Sequence, residues 1–341
     1  MTKRTWRRNL LAMTPLTLLL VAAALVPVTA VMFRDIVAGE LAGRYASMVN
    51  RADLLLPESD TKPADVTGPM TILMLGSDNY DGTRGYQGVT GQRSDSVILV
   101  HADRDFQHVS AVSIQRDSYV YVPAAGPWHG GNTKINAALA YGGATLSVQV
   151  VEKQFGIHID HVMVMSFRGL HTATDAVGGV DVTIDKAVYD TAMRVHWPAG
   201  VNHLDGKAAE MYVRDRYGLP QGDFDRMKRH QQFLHALMTK GIQLGMAGDL
   251  KRLDQAVSDV AKATTVDPGM PVQALAEAMV KLSPSAVTYG SMFNDGGMTI
   301  DGHSFQRVDP KWSQALGTAI KSDDFGPYWK IYPPNTPTHG A

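Results

Sequence analysis

Hydrophobic and charged positions are most sharply separated at the start of the chain. Residues 1–9 carry four basic side chains and no acid, whereas residues 10–33 contain no charged side chain. As a helix, the uncharged segment would be about 36 Å long, which is enough to cross the apolar core of a bilayer. Because basic residues precede it, we predict a single-pass cell-membrane protein with its N-terminus in the cytoplasm and the rest outside. The alternative is a signal peptide cleaved near Ala30.

The pattern beyond residue 33 predicts three further regions. Residues 34–69 combine a juxtamembrane segment with a linker rich in Pro, Asp, Ser and Thr. From residue 70 to about residue 311, short apolar runs alternate with helical patterns, which predicts one extracellular domain. Residues 312–341 end in a stretch with several Pro and Gly residues and are predicted to form a C-terminal tail.

Within the domain, short apolar runs bounded by turn residues predict β-strands. These runs lie at 71–75, 96–101, 109–114, 162–167, 180–184, 287–293 and 298–301, and the last two are expected to close the sheet. Apolar residues at helical spacing predict helices at 136–155, with an interruption at Gly142-Gly143, and at 250–260 and 272–282. Because strands and helices are mixed without an internal boundary, we predict one α/β domain with a central mixed β-sheet flanked by helices.

Composition narrows the chemistry. The 32 Lys and Arg residues are balanced by 33 Asp and Glu residues, for a net charge of −1, so any anion site must be local and bulk nucleic-acid binding is not indicated. The absence of cysteine excludes disulfides, thiolate nucleophiles and Cys-based zinc sites. The chain has no GxSxG motif and no HxH or HxxxH pair, which argues against a serine hydrolase and against a histidine metal site.

The most basic stretch runs from Tyr212 to Gln232. Arg214 and Arg216 alternate as on a strand, so both are predicted to face the same side. Asp223 is placed to cap a helix that begins near Asp225.

On that helix Arg226 and Arg229 are three residues apart and share a face. The two arginine pairs are therefore expected to converge on one anion, because each guanidinium group can bind two phosphate oxygens at once. A solvated run of charges is the alternative interpretation.

Other charged residues lie at predicted strand ends, where ligands bind in α/β sheets. Asp78 follows the first strand, Asp95 precedes the second, Arg116 follows the third, and Lys134 comes shortly after. Carboxylates suggest a hard metal such as Mg²⁺, and arginines around a metal-bound phosphate are typical of phosphoryl transfer. Taken singly, each acid could instead be a helix cap or part of a turn.

The chain resembles the LytR-CpsA-Psr family of bacterial cell-wall enzymes over residues 70 to about 240. The resemblance is carried by segments that occur in the family's order and spacing: LMLGSD (73–78), RSDSVILV (93–100), SIQRDSYVYVP (113–123), KINAALAYGG (134–143), FGIHIDHVMVMSFRG (155–169), DAVGGVDV (175–182), HLDGKAAEMYVRDR (203–216) and GDFDRMKRHQ (222–231).

The resemblance implies a membrane-anchored phosphotransferase. Such an enzyme moves a glycopolymer from a polyprenyl-pyrophosphate carrier to peptidoglycan, typically to the 6-hydroxyl of a muramic acid residue, and releases polyprenyl phosphate. Its prenyl tail is expected to lie in an apolar groove between the sheet and Met- and Leu-bearing helices. The alternatives are a polyprenyl-pyrophosphate hydrolase, and a non-catalytic wall-lipid-binding or regulatory protein.

The family's functional residues match specific positions of this sequence. By resemblance, Mg²⁺ is held by Asp78 and Asp95, one of which could instead act as a base. Catalysis falls to Asp95, Arg116, Arg214 and Arg216, and the pyrophosphate is bound by Arg116, Lys134, Arg214, Arg216, Arg226 and Arg229. Supporting roles fall to Asp223, His230 and Gln231.

Two positions depart from the family pattern. His230 replaces a glutamine, and its imidazole is expected to remain able to reach a phosphate. Gln115 replaces a proline and is expected to loosen the turn before Arg116.

Overall fold

The protein was described from a computed structural model. The structure describes residues 68–77, 93–246, 249–262, 264–293 and 295–335, together with the pairs 39–40, 43–44, 46–47, 50–51, 85–86 and 89–90. The segment at 10–33 that is predicted to span the membrane lies outside the described residues. Within the described part of the chain, none of the helices has both the length and the apolar character needed to cross a bilayer.

The described elements alternate between strands and helices along the chain. The strands are β1 (Asn50–Arg51), β2 (Met70–Ser77), β3 (Gly85–Tyr86), β4 (Val89–Thr90), β5 (Ser94–Ala102), β6 (Val109–Ile114), β7 (Tyr119–Val122), β8 (Gly131–Lys134), β9 (His161–Ser166), β10 (Val180–Ile184), β11 (Val188–Asp190), β12 (Val195–Trp197), β13 (Gly200–Leu204), β14 (Thr264–Val266), β15 (Val287–Ser291), β16 (Gly297–Ile300) and β17 (His303–Gln306). The helices are α1 (Ala137–Phe155), α2 (Phe167–Ala176), α3 (Gly206–Arg214), α4 (Asp223–Met246), α5 (Leu250–Lys262), α6 (Val272–Lys281), α7 (Pro310–Ser322) and α8 (Gly326–Ile331).

A mixed sheet forms the centre of the domain, as predicted. Its strand order is β1-β14-β9-β2-β5-β6-β15. The pairs β2/β5, β5/β6 and β14/β9 are antiparallel, whereas β2/β9, β6/β15 and β1/β14 are parallel. Because of these directions, the carboxyl ends of β2, β6, β9 and β15 and the amino end of β5 meet at one edge of the sheet. This edge carries the residues considered below.

Successive side chains of a strand point to opposite faces of the sheet, and helices pack against both faces. On one face Leu73 and Leu75 belong to a large core that includes residues of α1, α7 and α8, among them the fully buried Trp312. On the other face Met74 and Ile98 pack near Leu234 of α4. The domain therefore has three layers, with helices on either side of the sheet.

The interruption predicted at Gly142-Gly143 is confirmed. Gly142 has φ −144° and Gly143 has φ 69°, so the backbone leaves the helical conformation inside α1. A Cβ at position 142 would lie 2.7 Å from the Leu146 side chain, which leaves no room for a larger residue. The two glycines therefore separate two helical segments that pack independently against the core.

The prediction that residues 298–301 close the sheet is wrong. These residues form β16, which pairs only with β17 in a separate hairpin among the described strands. The sheet ends instead at β15, whose outer side is met by Asn335: the Asn335 N–H donates to the carbonyl of Tyr289 at 2.7 Å. Edge strands are usually covered in this way, which limits unwanted pairing with other chains.

Residues beyond 311 contribute to the core. Helix α7 runs across the boundary predicted between residues 311 and 312, and Asp309 caps its amino end by accepting the N–H of Lys311 at 2.8 Å. Trp312 is fully buried, and its indole N–H donates to the Tyr328 hydroxyl at 2.9 Å. Residues 312–335 therefore belong to the folded domain and are not a loose tail.

Candidate active site

Asp95 and Arg116 are brought together at the edge where the strand ends meet. Asp95 is the second residue of β5, and Arg116 comes two residues after the end of β6, the antiparallel neighbour of β5. The Arg116 guanidinium donates from Nη1 to Asp95 Oδ1, and both side chains are largely shielded from solvent. The contact therefore joins two adjacent strands through a charge-assisted hydrogen bond.

The turn that carries Arg116 is held firmly, contrary to the expectation that Gln115 loosens it. The Gln115 carbonyl accepts the N–H of Ser118 at 3.0 Å, and the Gln115 side-chain oxygen accepts the N–H of Asp117. The carbonyl of Arg116 in turn accepts the N–H of Asn136 at 3.2 Å. A buried glutamine amide thus replaces the rigidity of a proline ring with hydrogen bonds to the turn.

The first turn of α4 completes the cluster. Arg226 Nη2 lies 2.8 Å from Asp223 Oδ1 and donates to the backbone carbonyl of Asp95 at 3.0 Å. Arg116 Nε lies 3.5 Å from the same Asp223 oxygen, and Lys134 Nζ lies 2.8 Å from Asp117 Oδ1. We call these six residues the Arg–Asp cluster: Asp95, Arg116, Asp117, Lys134, Asp223 and Arg226.

Burial and the neighbouring arginines shift the pKa values of the acids of the cluster in opposite directions. Burial raises the pKa of Asp95, but the guanidinium groups of Arg116 and Arg226 outweigh this effect and hold the pKa below its ordinary value. Burial also raises the pKa of Asp223, and here the same two arginines do not offset it fully. Asp95 is therefore the more strongly ionised carboxylate of the two.

Several polar atoms of the cluster lack well-aligned partners. The Nε atoms of Arg116 and Arg226 and both carboxylate oxygens of Asp223 are buried without a hydrogen bond, although Asp223 Oδ1 lies close to both arginines. Buried groups of this kind are uncommon unless a ligand or an ion satisfies them. The donors suit phosphate oxygens and the carboxylate suits a cation.

Arg214 and Arg216 do not alternate on a strand as predicted. Arg214 is the last residue of α3, a helix capped by Asp205, which accepts the N–H of Ala208 at 2.7 Å. The Arg214 guanidinium donates to Glu210, one turn earlier, at 2.8 Å. Arg216 lies beyond the helix and is exposed. The pKa of the Arg226 guanidinium is lowered, mainly by burial, and the positive charge of Arg216 adds to this decrease. Arg216 is thus linked electrostatically to the Arg–Asp cluster, whereas Arg214 is paired with Glu210.

Arg229 does not converge with Arg226 on one anion, although both lie on α4. Its guanidinium donates to the fully buried Asp215 and stacks on the Tyr212 ring, with 4.6 Å between Cζ and the ring centroid. Three residues along a helix give a rotation of about 300°, so neighbours on one face can still contact different elements. Arg229 lies behind the cluster, against α3.

His230 and Gln231 join α4 to its surroundings. The His230 Nε2–H donates to the Val213 carbonyl of α3 at 2.6 Å, which is a structural contact in place of the expected reach toward a phosphate. Burial, with the charge of Arg226, lowers the pKa of His230 to about 3, so the ring is neutral. Gln231 is buried and donates to the Ser113 hydroxyl at 2.8 Å and to the Gly290 carbonyl at 2.7 Å.

An apolar groove lies beside the cluster, between the sheet and the helices. Its cavity volume is about 60 Å³, within a wider space of about 520 Å³ that is open to solvent. Leu170, Val213, Phe233 and Leu234 line it from the helices, and its methionines come from strands of the sheet: Met74, Met163 and Met165. Ser96 and His230 also line the groove, so it ends next to Asp95 and Arg226.

Most of the chain matches a known protein family. Residues 44–321 match the model of the LytR_cpsA_psr family. The chain belongs to this family.

Members of the family with names or solved structures cover most of the chain. The polyisoprenyl-teichoic acid–peptidoglycan teichoic acid transferase TagU of Enterococcus faecalis is 31% identical over 253 residues, which cover 71% of this chain and 75% of TagU. The probable cell wall biosynthesis protein LcpB of Corynebacterium glutamicum is 34% identical over 70% of this chain, which spans only 58% of LcpB. The crystal structure of TagV from Bacillus subtilis, 26% identical, superimposes with a TM-score of 0.59 over 75% of this chain and 97% of TagV.

The LytR-CpsA-Psr motifs therefore contribute unequally to the site. The structure brings Asp95, Arg116, Lys134, Asp223 and Arg226 together, and Arg216 lies within electrostatic range. Asp117, whose carboxylate lies 3.9 Å from Arg116 and 2.8 Å from Lys134, follows Arg116 directly at the strand end but was given no role in the site predicted from sequence.

The acids around Arg116 fit a hard cation such as the Mg²⁺ that the family resemblance implies. Among the described residues no group of three or more His, Asp or Glu side chains could hold a metal ion. Mg²⁺, however, usually takes one or two carboxylates and completes its shell with phosphate oxygens and water. Ser77, which precedes Asp78, pairs with Ser94, which precedes Asp95. Asp78 itself lies outside the described residues.

His230 makes the stability of the domain sensitive to acid. In the unfolded chain its pKa is about 6.5, so below that pH the unfolded state binds a proton that the folded state excludes down to about pH 3. Between pH 7.5 and pH 5 this difference removes about 2 kcal/mol of unfolding free energy. We expect His230→Gln, which can still donate to the Val213 carbonyl, to lose about 2 kcal/mol less over this pH range.

Urea unfolding at both pH values measures this difference. The exposed His129→Gln variant is the control and is expected to retain the acid sensitivity of the wild type. Equal acid sensitivity of the His230→Gln variant and the wild type would show that the folded state also accepts a proton on His230.

Proposed function

We propose that the protein is a phosphotransferase that moves a glycopolymer from a polyprenyl-pyrophosphate carrier to peptidoglycan, and releases polyprenyl phosphate. The observation that carries the proposal is the direct contact between two unlike surfaces, the Arg–Asp cluster and the apolar groove. A prenyl pyrophosphate has the same two parts, an anionic head and a long apolar tail. The names of TagU and LcpB support a role in attaching polymers to the cell wall.

The position of the groove sets the direction in which such a substrate would bind. Ser96 lines the groove and follows Asp95, while His230 lines it and follows the arginines of α4. A tail in the groove would therefore place its pyrophosphate among Arg116, Arg226 and Arg216. Burial of the tail would contribute about 0.8 kcal/mol for each CH₂ group removed from water.

The chemistry requires an acceptor hydroxyl to attack the phosphorus that carries the glycan. A new phosphorus–oxygen bond forms to the acceptor, and the bond between the two phosphates breaks, so that prenyl phosphate leaves with the bridging oxygen. The hydroxyl proton passes to a carboxylate or to water. Arg116 and Arg226 are held in place by Asp95 and Asp223. Their Nε–H groups make no hydrogen bond within the protein and can stabilise the charge that develops on the phosphate oxygens.

A metal ion belongs to the same proposal. Asp95, together with Asp78, would hold Mg²⁺ at the edge of the sheet, and the carboxylate of Asp223 lies near enough to Arg116 to assist. When bound, Mg²⁺ would neutralise charge on the pyrophosphate oxygens. The lowered pKa of Asp95 keeps this carboxylate in the ionised form that binds cations.

We further propose that residues 10–33 anchor the protein in the cell membrane, with residues 70–335 on the outer side. A prenyl-linked substrate is confined to the membrane, so an anchored enzyme meets it in two dimensions rather than by diffusion from solution. The uncharged segment and the basic residues before it support this placement. A protease-protection assay on intact cells tests it, since cleavage of the domain only after cell lysis would place the domain inside.

The transfer reaction provides the first test. The full-length protein in detergent is incubated with a prenyl-pyrophosphate-linked sugar and a peptidoglycan oligomer, and the products are followed by mass spectrometry. We expect a phosphodiester-linked conjugate and prenyl phosphate, and we expect Arg116→Ala to lower the rate about 100-fold to 1000-fold because it removes a stabiliser of developing charge.

The control is Arg104→Ala, an exposed arginine in the turn at the opposite end of β5. Transfer at the normal rate by Arg116→Ala would remove Arg116 from the mechanism. Free sugar phosphate without a conjugate would indicate the hydrolase instead, and tight binding of the lipid without turnover would indicate a binding protein.

Metal binding is tested separately from turnover. Isothermal titration of the wild-type protein with Mg²⁺, without pyrophosphate because pyrophosphate itself binds Mg²⁺, is expected to show one binding event. We expect this event to be weakened at least tenfold in Asp95→Asn, because the amide lacks the negative charge. Asp105→Asn, in the exposed turn between β5 and β6, is the control. Unchanged Mg²⁺ affinity in Asp95→Asn would exclude Asp95 as a ligand.

The groove is tested by filling it. Met165→Trp places a larger ring in the groove, so we expect affinity for a long-chain prenyl pyrophosphate to fall at least tenfold, about 1.4 kcal/mol. Affinity for geranyl pyrophosphate, whose tail is short, is expected to change much less. Val201→Trp, at an exposed position of β13 outside the groove, is the control. Equal losses for both substrates would show that the tail does not occupy this groove.

A further inference from the structure

Two carboxyl groups are buried against each other behind the Arg–Asp cluster. Asp190 ends β11 and Asp215 follows α3, and both residues are 0% exposed. Each carboxyl shifts the pKa of the other, upward for Asp215 and downward for Asp190, so the two groups lie close together. Asp190 Oδ2 and Asp215 Oδ1 are both buried without a hydrogen-bond partner. Two ionised carboxylates would repel each other at this position, and a proton held between them would remove the repulsion and satisfy the two orphaned oxygens.

The remaining contacts of the pair connect three elements. Asp190 Oδ1 accepts the N–H groups of Ala192 and Met193, each at 2.7 Å, and the backbone N–H of Tyr217 lies near enough to help lower the pKa of Asp190. Asp215 Oδ2 accepts from Arg229 on α4. The pair therefore ties the β11–β12 hairpin and helix α4 to the loop that follows α3.

This loop carries Arg216. Its next turn contains Gly218, whose φ is 88° and where a Cβ would lie 2.3 Å from the Tyr189 carbonyl, so the backbone of the loop is pressed against β11. Arg216 stacks on its neighbour Tyr217, with 5.0 Å between Cζ and the ring centroid, and donates to the Tyr217 hydroxyl at 2.9 Å. The residues on both sides of Arg216, Asp215 and Tyr217, are thus anchored to the acid pair.

We propose that Asp190 and Asp215 are positioning residues that share one proton to hold Arg216 in place for the pyrophosphate, and that loss of this proton weakens binding. The proposal rests on the proposed function and names a device that regulates the same site. With the proton in place, the charges of Asp190, Asp215 and Arg229 sum to zero. Without it they sum to −1, next to the position of a bound anion.

The groups around the pair determine the pH at which Asp215 loses its proton. Burial, reinforced by the neighbouring Asp190 and opposed by Arg229, raises the pKa of Asp215 to about 6. Tyr212 faces Arg229 and Asp215, and Asp185 lies within electrostatic range of Tyr212. Burial raises the pKa of Tyr212 to about 12, so this side chain stays neutral. Affinity for the anion is therefore expected to be highest below pH 6 and to fall as the pH rises.

Asp215→Asn isolates the effect of the proton. Its amide can donate to Asp190 and accept from Arg229, and it has no proton to lose in this range. Binding of inorganic pyrophosphate to full-length protein in detergent is measured by calorimetry from pH 5.5 to pH 8. The ionisation of pyrophosphate affects both proteins equally, so it cancels in the ratio of their dissociation constants.

We expect the two proteins to bind equally at pH 5.5 and the wild type to bind about tenfold more weakly than Asp215→Asn at pH 8. Asp215→Ala leaves Arg229 without its acid and is expected to bind weakly at every pH, with KM for the lipid substrate raised and kcat little changed. Thermal unfolding of each variant establishes that it is folded. Asp190→Asn, which also keeps the contact without a shared proton, is expected to have the flat profile of Asp215→Asn.

Parallel pH profiles of the wild type and Asp215→Asn would overturn the positioning proposal and leave the proposed function intact. The absence of pyrophosphate binding by the wild type at any pH would overturn both. Both proposals would be supported if the wild type transfers glycan and if its pyrophosphate affinity falls between pH 5.5 and pH 8 while that of Asp215→Asn does not.

Discussion

Arg116 and Asp95 form an ion pair that is largely shielded from water and joins two antiparallel strands at one edge of the sheet. Breaking a buried ion pair typically costs about 3–5 kcal/mol when the remaining charge has no other partner. Here Arg226 next to Asp95, and Asp223 next to Arg116, would offset part of that cost. The pair also orders its surroundings, because Arg226 reaches the backbone of Asp95 and Asp223 lies between the two arginines. The position of α4 relative to the sheet therefore depends on the same contact.

The apolar groove and the Arg–Asp cluster lie next to each other because the same strands supply both. On the face toward α4, the side chains of β2, β5 and β9 are mainly apolar along the strands, whereas charged residues follow at the strand ends. A ligand that is apolar along its length and anionic at one end matches this arrangement of apolar and charged side chains. Neither surface alone would select such a ligand, since grooves of this kind are often ordinary core and charge clusters are often solvated.

The parts of the site that were predicted from sequence are those set by local pattern. The short apolar runs end where the strands end, so Asp95 and Arg116 fell at one edge as soon as the runs were assigned to one sheet. Lys134 reaches the same place from the separate β7–β8 hairpin. The strand predicted at Arg214 and Arg216 failed because alternation over three residues cannot be distinguished from the last turn of a helix. The cap at Asp205 and the pair Glu210–Arg214 were the stronger local signals.

The sequence by itself determined the mixed α/β class, the helix break at Gly142-Gly143 and the order of motifs that identifies the family, because these depend on residues close together in the chain. Only the tertiary structure decided which charges meet. Arg226 contacts Asp95 across 131 residues, and Arg229, three positions further on, contacts Asp215. A basic side chain pairs with whichever acid the packing brings within about 4 Å, and no local pattern specifies that acid.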